Sequence, residues 1–265
     1  MLKKRSLKIK NTVDISIEKL KIHNKSNEFQ LAMDTYHNNI LYNKFFIILS
    51  IAIVGMQIIS VLNVYQTFYL NNYLIDSLCI IISLFSAYIF TDFINGAVHM
   101  YMDNNTNYKS IVGPFVAAFH MHHHHMKYKT RHPLVLYFVE SGSKFWLVAY
   151  LAVVIFLQNQ LSLFLFINIF LVAIGIFSSF AEVSHYWCHN AHKKNTIIKM
   201  LQKFRILLPK KHHMIHHLHD NVNYAFLNGV TDPILNIMAK KLYKGYKENS
   251  DLHASGYKGR QTNNR

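Results

Sequence analysis

The histidines of this chain are gathered in a way that could support metal chemistry. Fifteen of its eighteen histidines lie between His99 and His219. They form four groups, which follow or separate long apolar stretches: His99 with Asp103; His120, His122, His123, His124, His125 and His132; His185, His189 and His192; and His212, His213, His216, His217 and His219. Imidazole is the commonest metal ligand, and placing it beside a membrane is costly without a function. The pattern therefore predicts a metal-dependent membrane enzyme.

The last group has the most specific spacing. His212 pairs with His216, and His213 pairs with His217, each pair at a separation of four residues. On a helix the two pairs point about 100° apart. One helical segment of this kind can serve two ions, or it can give one ion a ligand and a residue that orients that ligand.

The third group is also spaced for a helix. Glu182, His185, His189 and His192 follow one another at intervals of three, four and three residues, so they share one helical face. Two histidines four residues apart can clamp one ion. A glutamate three residues before a histidine is typical of helical di-iron carboxylate sites.

The first two groups are less specific. Asp92, Gly96, His99 and Asp103 share a helical face, so His99 could bind metal while Asp92 or Asp103 accepts its second ring proton. The alternative is an interfacial histidine beside a solvated aspartate. In the second group the histidine run at 122–125 is dense, and we expect two of its four rings to bind metal.

The donor set indicates which metal is bound. It is almost entirely imidazole nitrogen, and the chain has only two cysteines, Cys79 and Cys188, which offer no thiol pair for a metal. Calcium, magnesium and thiolate zinc sites need other donors. Eight or more histidines exceed what a single zinc ion needs. Two irons, or another pair of redox metals, fit the ligand count best, and such a pair could activate oxygen.

The elements that must position these groups are membrane helices. The chain is 51% hydrophobic and only 15% charged. Four stretches approach the ~20 apolar residues that cross a bilayer, at 45–65, 73–98, 134–158 and 161–181. The first half of the third stretch is polar, so it either spans from its start or enters lipid only at Phe145. The predicted fold class is an all-α integral membrane protein with about four transmembrane helices and a cytoplasmic, histidine-rich helical cap.

Charge sets the expected topology. All 28 lysines and arginines lie in 1–44, 99–144 and 190–265. With four spans, the positive-inside rule places these segments, the histidine groups and both termini in the cytoplasm, at the ER membrane of a eukaryote or the inner membrane of a bacterium. The net charge is +15, and the basic residues are distributed along the chain as this topology requires. That distribution favours attraction to anionic lipid head groups over nucleic-acid binding.

Three regions are expected along the chain. The first is a polar, basic N-terminal segment at 1–44, much of it loosely ordered. The second is a membrane domain at 45–250, which carries the histidine groups. The third is a disordered tail at 251–265.

Four motifs resemble, in order, those of one family. The sequence D-F-I-N-G-A-V-H at 92–99, followed by Asp103, is similar to the family's D-x-x-x-G-x-x-H-x-x-x-D. The paired histidines and T-R-H ending of 119–132, H-Y-W-C-H at 185–189 and L-P-K-K-H-H-M-I-H-H at 208–217 are similar to the other three. Over roughly 85–235 the chain resembles the lipid desaturase family that contains plasmanylethanolamine desaturase, also called the Kua–CarF family.

The resemblance implies O2-dependent dehydrogenation of a phospholipid chain at two irons. The expected substrate is a 1-O-alkyl phospholipid, which would become the vinyl ether of a plasmalogen, and an acyl-chain desaturase is the alternative within the family. Two electrons would come from a reductase through a cytochrome b5 or ferredoxin-type carrier. Asp103 would orient a ligand, while Arg131, Lys210 and Lys211 would either hold the phosphate or be solvated surface charges. The metal ligands implied are His99, His122, His123, His132, His185, His189, His212, His213, His216 and His217.

Two other functions stay open. A di-iron hydroxylase could use the same ligands and insert a hydroxyl group instead of forming a double bond. A membrane metal transporter is the alternative from a different class. Transporters place their ligands near the bilayer centre, whereas here the spans between the histidine groups are nearly free of ionisable residues.

Overall fold

The computed structural model describes residues 2–67, 73–124, 132–139, 144–190 and 195–257. These residues form helices and connecting turns, with no strand among them. The helices are α1 (Leu2–Asn38), α2 (Ile40–Thr67), α3 (Tyr73–Asn104), α4 (Gly113–His124), α5 (Pro133–Val139), α6 (Trp146–Gln160), α7 (Leu165–Ser179), α8 (Ala181–His189), α9 (Thr196–Lys203), α10 (Lys210–Leu218), α11 (Asp232–Leu242) and α12 (Ser250–Ser255). The predicted all-helical class is confirmed for the described residues.

The chain divides into two compact units. We call them the terminal unit, described over 2–39, 103–124 and 245–257, and the central unit, described over 40–67, 73–102, 132–139, 144–190 and 195–244. The division assigns most of α3 to the central unit and its last two residues, Asp103 and Asn104, to the terminal unit.

The terminal unit is built from α1, α4 and α12, each of which contacts the other two. Phe29 and Met33 of α1 lie in one buried cluster with Ala117 of α4 and Ala254 of α12. The structure differs here from the loose N-terminal segment and the tail expected from sequence. The overall polarity of 1–44 conceals one apolar helical face, and α12 extends from Ser250 into the expected tail. Residues 258–265 lie outside the described residues.

The central unit carries the apolar helices. Helices α2 and α3 are each long and apolar enough to cross a membrane. Helices α7 and α8 meet this criterion together, with a bend of 45° between them, as in a broken span or a re-entrant pair. The described residues therefore hold two candidate spans, or three if the bent pair is one, and the predicted count of four is not reached.

The third predicted span accounts for the difference. It is divided between α5 and α6, and residues 140–143 between them lie outside the described residues. Helix α6 has 15 residues, about 22 Å at 1.5 Å per residue, which is shorter than the ~30 Å hydrocarbon core of a bilayer. Its N-cap is Phe145, the later of the two starting points that the sequence allows.

Asp92 of α3 organises the loop that precedes α11. Its Oδ1 accepts hydrogen bonds from the backbone N–H groups of Leu227, Asn228 and Gly229 at 2.9–3.3 Å. Its Oδ2 accepts from the N–H and the hydroxyl of Thr231 at 3.2 and 2.7 Å. Gly229 has φ +81°, a conformation that glycine adopts at no steric cost. The buried carboxylate thus accepts the hydrogen bonds that the backbone N–H groups of this turn would otherwise donate to water.

Gly96, one helical turn after Asp92, allows α3 to pack closely in the central unit. A Cβ atom at this position would clash with Leu235 of α11 and would lie 3.3 Å from the backbone nitrogen of Ala225. His99 follows three residues later, so this close approach sets the position of its backbone.

Removing the charge of Asp92 should destabilise the central unit. In Asp92→Asn the side-chain NH2 would face backbone N–H donors, so two or more charge-assisted hydrogen bonds are lost, at a cost of roughly 3 kcal/mol. For a chain of this size that lowers the thermal unfolding midpoint by roughly 6–12 °C. The matched control is Asp76→Asn, in the first turn of the same helix. Equal midpoints for the two variants in detergent solution would contradict this role.

Candidate metal centre

Four imidazole rings of the central unit converge on one point. Helix α8 supplies His185 and His189, and α10 supplies His213 and His217. The Nε2 atom of His213 lies 3.0 Å from that of His185, 2.9 Å from that of His189 and 3.2 Å from that of His217. The Nε2 atoms of His185 and His189 are 3.3 Å apart.

These separations match those of ligands around one ion. Imidazole nitrogens bound at about 2.1 Å to a common ion lie about 3.0 Å apart at right angles and about 3.4 Å apart at tetrahedral angles. A neutral imidazole has one N–H and one lone pair, so a cation at the centre can accept lone pairs from several rings at once. The donor set is soft enough for a transition metal and unlike the all-oxygen sets of calcium and magnesium.

Helix packing brings these rings together. Each helix contributes residues four positions apart, which share a face, and α8 contacts α10. The ring of His185 stacks on Phe226 with centroids 4.7 Å apart and an interplanar angle of 5°. On its other side α8 contacts α5, where Val183 and Tyr186 share a buried cluster with Leu136.

The environment keeps His213 neutral. Burial is the main reason that the pKa of His213 lies well below its usual range, and the neighbouring imidazoles of His189 and His216 lower it further. The ring is therefore deprotonated near pH 7, which is the form that binds metal.

His99 and His216 form a second pair in the central unit. The Nδ1–H of His99 donates to the carbonyl oxygen of Tyr224 at 2.6 Å, and that of His216 donates to the carbonyl oxygen of Val222 at 2.9 Å. These bonds leave Nε2 as the ligand nitrogen of each ring. The sequence predicted that Asp92 or Asp103 would orient His99. In the structure the acceptor of the Nδ1–H proton of His99 is a backbone carbonyl, and the orienting role of Asp103 stays a prediction.

Two predicted ligands of the second histidine group, His122 and His123, lie in the terminal unit. His122 is buried and its ring packs against those of Phe119 and His123. The Nε2 of His123 lies 3.5 Å from Oδ1 of Asp103, and its Nδ1 lies 3.0 Å from Oδ1 of Asp251. Burial disfavours the protonated ring, but the two carboxylates outweigh it and raise the pKa of His123.

Two predicted ligands are placed differently. The Nε2 of His212 lies 2.6 Å from Oδ2 of Asp232, so this ring is paired with a carboxylate and is not among the converging imidazoles of α8 and α10. His132 is exposed at the start of α5, where its Nδ1 accepts a hydrogen bond from the backbone N–H of Leu134. The structure brings neither ring into a group of potential ligands within its described residues.

The predicted phosphate-binding residues lie at the surface or outside the described residues. Lys210 and Lys211 are exposed in the first turn of α10, where they can contact an anionic group. Arg131 lies outside the described residues, as do His125 and His192. Cys188 is buried with its thiol directed at the carbonyl oxygens of Leu208 and Phe226, as expected for a small packed residue rather than a ligand.

A comparison with known families agrees with this geometry. A family model described as a lipid desaturase domain matches residues 88–249, more than half of the 265 residues. The chain belongs to the lipid desaturase family. Membership of this family implies an oxidoreductase that desaturates lipid in a membrane. The clustered histidines could bind metal. No solved structure matches the chain.

The placement of His212 gives a direct test of the site. In His213→Ala the central ring of the four is lost, and we expect the purified protein to lose about one bound transition-metal ion per chain. In His212→Ala we expect the metal content of the wild type, with a lower unfolding midpoint because Oδ2 of the buried Asp232 loses its imidazole partner. Elemental analysis of both purified variants measures this. Equal metal loss in the two variants would contradict the assignment.

Proposed function

We propose that this chain is a membrane di-iron desaturase that forms a double bond in a phospholipid chain close to the glycerol linkage. The favoured substrate is a 1-O-alkyl (plasmanyl) phospholipid and the product is the corresponding vinyl ether. The observation that carries the proposal is the convergence of four imidazole Nε2 atoms at 2.9–3.3 Å within a lipid desaturase domain.

The donor set supports two ions. His185, His189, His213 and His217 would hold one iron. His99 and His216, each with Nδ1 bonded to a carbonyl, would belong to the ligand set of the second. The family resemblance adds His122 and His123 to the ligands, and that assignment stays a prediction. His132 and His212 are left out of the proposed set, because the ring of His132 is exposed and that of His212 is paired with Asp232.

The proposed reaction is balanced by oxygen and an external reductant. Two adjacent CH2 groups lose two hydrogens and become CH=CH, and O2 is reduced to two waters with two further electrons and two protons. The electrons would come from a cytochrome b5 or ferredoxin-type carrier and its reductase. Iron supplies the oxidising power that breaks an unactivated C–H bond.

The protein's own residues would hold the ligand rings in place and exclude water from the site. The ligand rings His99, His185, His213 and His216 are all fully buried. Their carbonyl and stacking partners hold the rings in place before any substrate binds, which limits reorganisation during the reaction. A dry site also protects a reactive oxidant from side reactions.

Three of the proposed ligands lie at the ends of candidate spans. His99 is in the last two turns of α3, and His185 and His189 are in the second helix of the bent pair. A site at this depth suits carbons next to the glycerol linkage, just beneath the lipid head groups. In this proposal Lys210 and Lys211 bind the phosphate, and the basic segments place the histidine groups and both termini in the cytoplasm.

Lipid analysis tests the proposed reaction. In a host that lacks plasmalogens and is supplied with 1-O-alkylglycerol, the wild-type chain should produce acid-labile vinyl ethers. His216→Ala should produce none, because a proposed iron ligand is removed. His219→Ala is the matched control, since His219 is an exposed ring on the segment that follows α10, and it should give the wild-type product.

Three results would contradict the proposal at equal protein levels. Vinyl ether made by His216→Ala would remove the metal assignment. Hydroxylated chains in place of vinyl ethers would support the hydroxylase. A new double bond in an acyl chain, with no vinyl ether, would support the alternative phospholipid desaturase.

A further inference from the structure

The C-terminal segment of the terminal unit, at 245–257, contacts His123, one of the predicted metal ligands. The carboxylate of Asp251, on α12, lies 3.0 Å from Nδ1 of His123. The ring of Tyr246 packs on the ring of His123 with centroids 4.4 Å apart. The hydroxyl of Ser250 donates to the backbone carbonyl of Asp103 at 2.6 Å. One short segment therefore contacts both His123 and Asp103.

The two ring nitrogens of His123 have different neighbours. Nδ1 is within hydrogen-bond distance of Asp251, whereas Nε2 lies on the side of Asp103, whose Oδ1 is 3.5 Å away. When the ring donates Nδ1–H to a carboxylate, its lone pair is on Nε2 and the ring becomes a stronger donor to a metal. The side chain of His123 is 3% exposed and that of Asp251 is 15% exposed, so water screens this pair weakly.

Asp251 also supplies charge that the imidazoles lack. An Fe(II) ion bound at Nε2 of His123 would bring two positive charges into this buried part of the terminal unit. Buried charge is stabilised only where opposite charge is close by. Asp103 and Asp251, on either side of His123, are carboxylates placed to provide it.

We propose that Asp251 is a positioning residue for His123, which it holds with the Nε2 lone pair directed to a metal ion, and that α12 thereby contributes to metal binding at His123. This inference rests on the proposed function, in which His123 is an iron ligand. It extends the functional region beyond residue 249, where the matched desaturase domain ends.

Iron binding by purified full-length protein tests the inference without measuring turnover. Metal-free wild type, Asp251→Asn, Asp251→Ala and Asp251→Glu are titrated with Fe(II) under anaerobic conditions, and the affinity is read from competition with a chelator. The control is Glu248→Gln, which removes an exposed carboxylate three residues away in the same segment. Thermal unfolding is measured for each protein with and without Fe(II).

A positioning role predicts a specific pattern. Asp251→Asn and Asp251→Ala should bind Fe(II) about 10–100-fold more weakly, as is typical when the partner of a metal-bound histidine is removed. The increase in unfolding midpoint on adding Fe(II) should shrink in both variants. Asp251→Glu should recover part of the affinity, and Glu248→Gln should match the wild type. Asp251→Asn keeps the size of the side chain, so it carries the test if Asp251→Ala does not fold.

Two results would overturn the inference, and they have different meanings. Wild-type Fe(II) affinity in Asp251→Asn, with an equal fall of the midpoint in the metal-free and metal-loaded forms, would show that Asp251 only holds the fold together. That result leaves the proposed function intact. A folded wild-type protein that binds no Fe(II) would overturn both the proposed function and this inference.

Discussion

The structure depends on one unusual constraint: four imidazole rings meet with their Nε2 atoms about 3 Å apart. His213 is at the centre of this arrangement, within 3.2 Å of three other ring nitrogens. Burying so many nitrogen lone pairs side by side is unfavourable without a cation to receive them. The packing of α8 against α10 creates the cluster, and a shared metal ion would account for it physically.

Acidic residues near the imidazoles have separate tasks. Asp92 binds the turn at 227–231, and Asp232 pairs with His212 and accepts a hydrogen bond from the N–H of Ala225. Glu182 has an oxygen 4.0 Å from Nδ1 of His185. These carboxylates position backbone or rings around the converging nitrogens, so the donor set of the central unit remains nitrogen-rich, which favours a redox transition metal.

The sequence predicted the part of the site that depends on helical spacing. Histidines four residues apart on α8 and α10 were expected to share ions, and the Nε2 atoms of His185 and His189 and of His213 and His217 do converge. The expected pair of His212 and His216 does not. The partners of His99 and His216 could not be predicted, because backbone carbonyls have no residue type to signal them. The pairing of His212 was not predicted for a related reason: its partner Asp232 is 20 residues away in the chain, and only the tertiary fold brings the two together.

Similar reasoning explains the differences in the fold. Hydropathy identifies α2 and α3 as candidate spans, since each is apolar over its own length. It does not reveal that the stretch at 134–158 divides into α5 and a 15-residue α6. Helix α1 was missed because a few apolar residues, including Phe29 and Met33, are enough to bury one face of a polar helix.

X-ray absorption at the iron edge of the purified, folded protein is the most direct test of the central claim. Ions held by the proposed histidines predict a first shell of nitrogen at about 2.1 Å with the outer-shell scattering of several imidazole rings. A first shell of oxygen without imidazole scattering, or a folded protein that retains no transition metal, would contradict it.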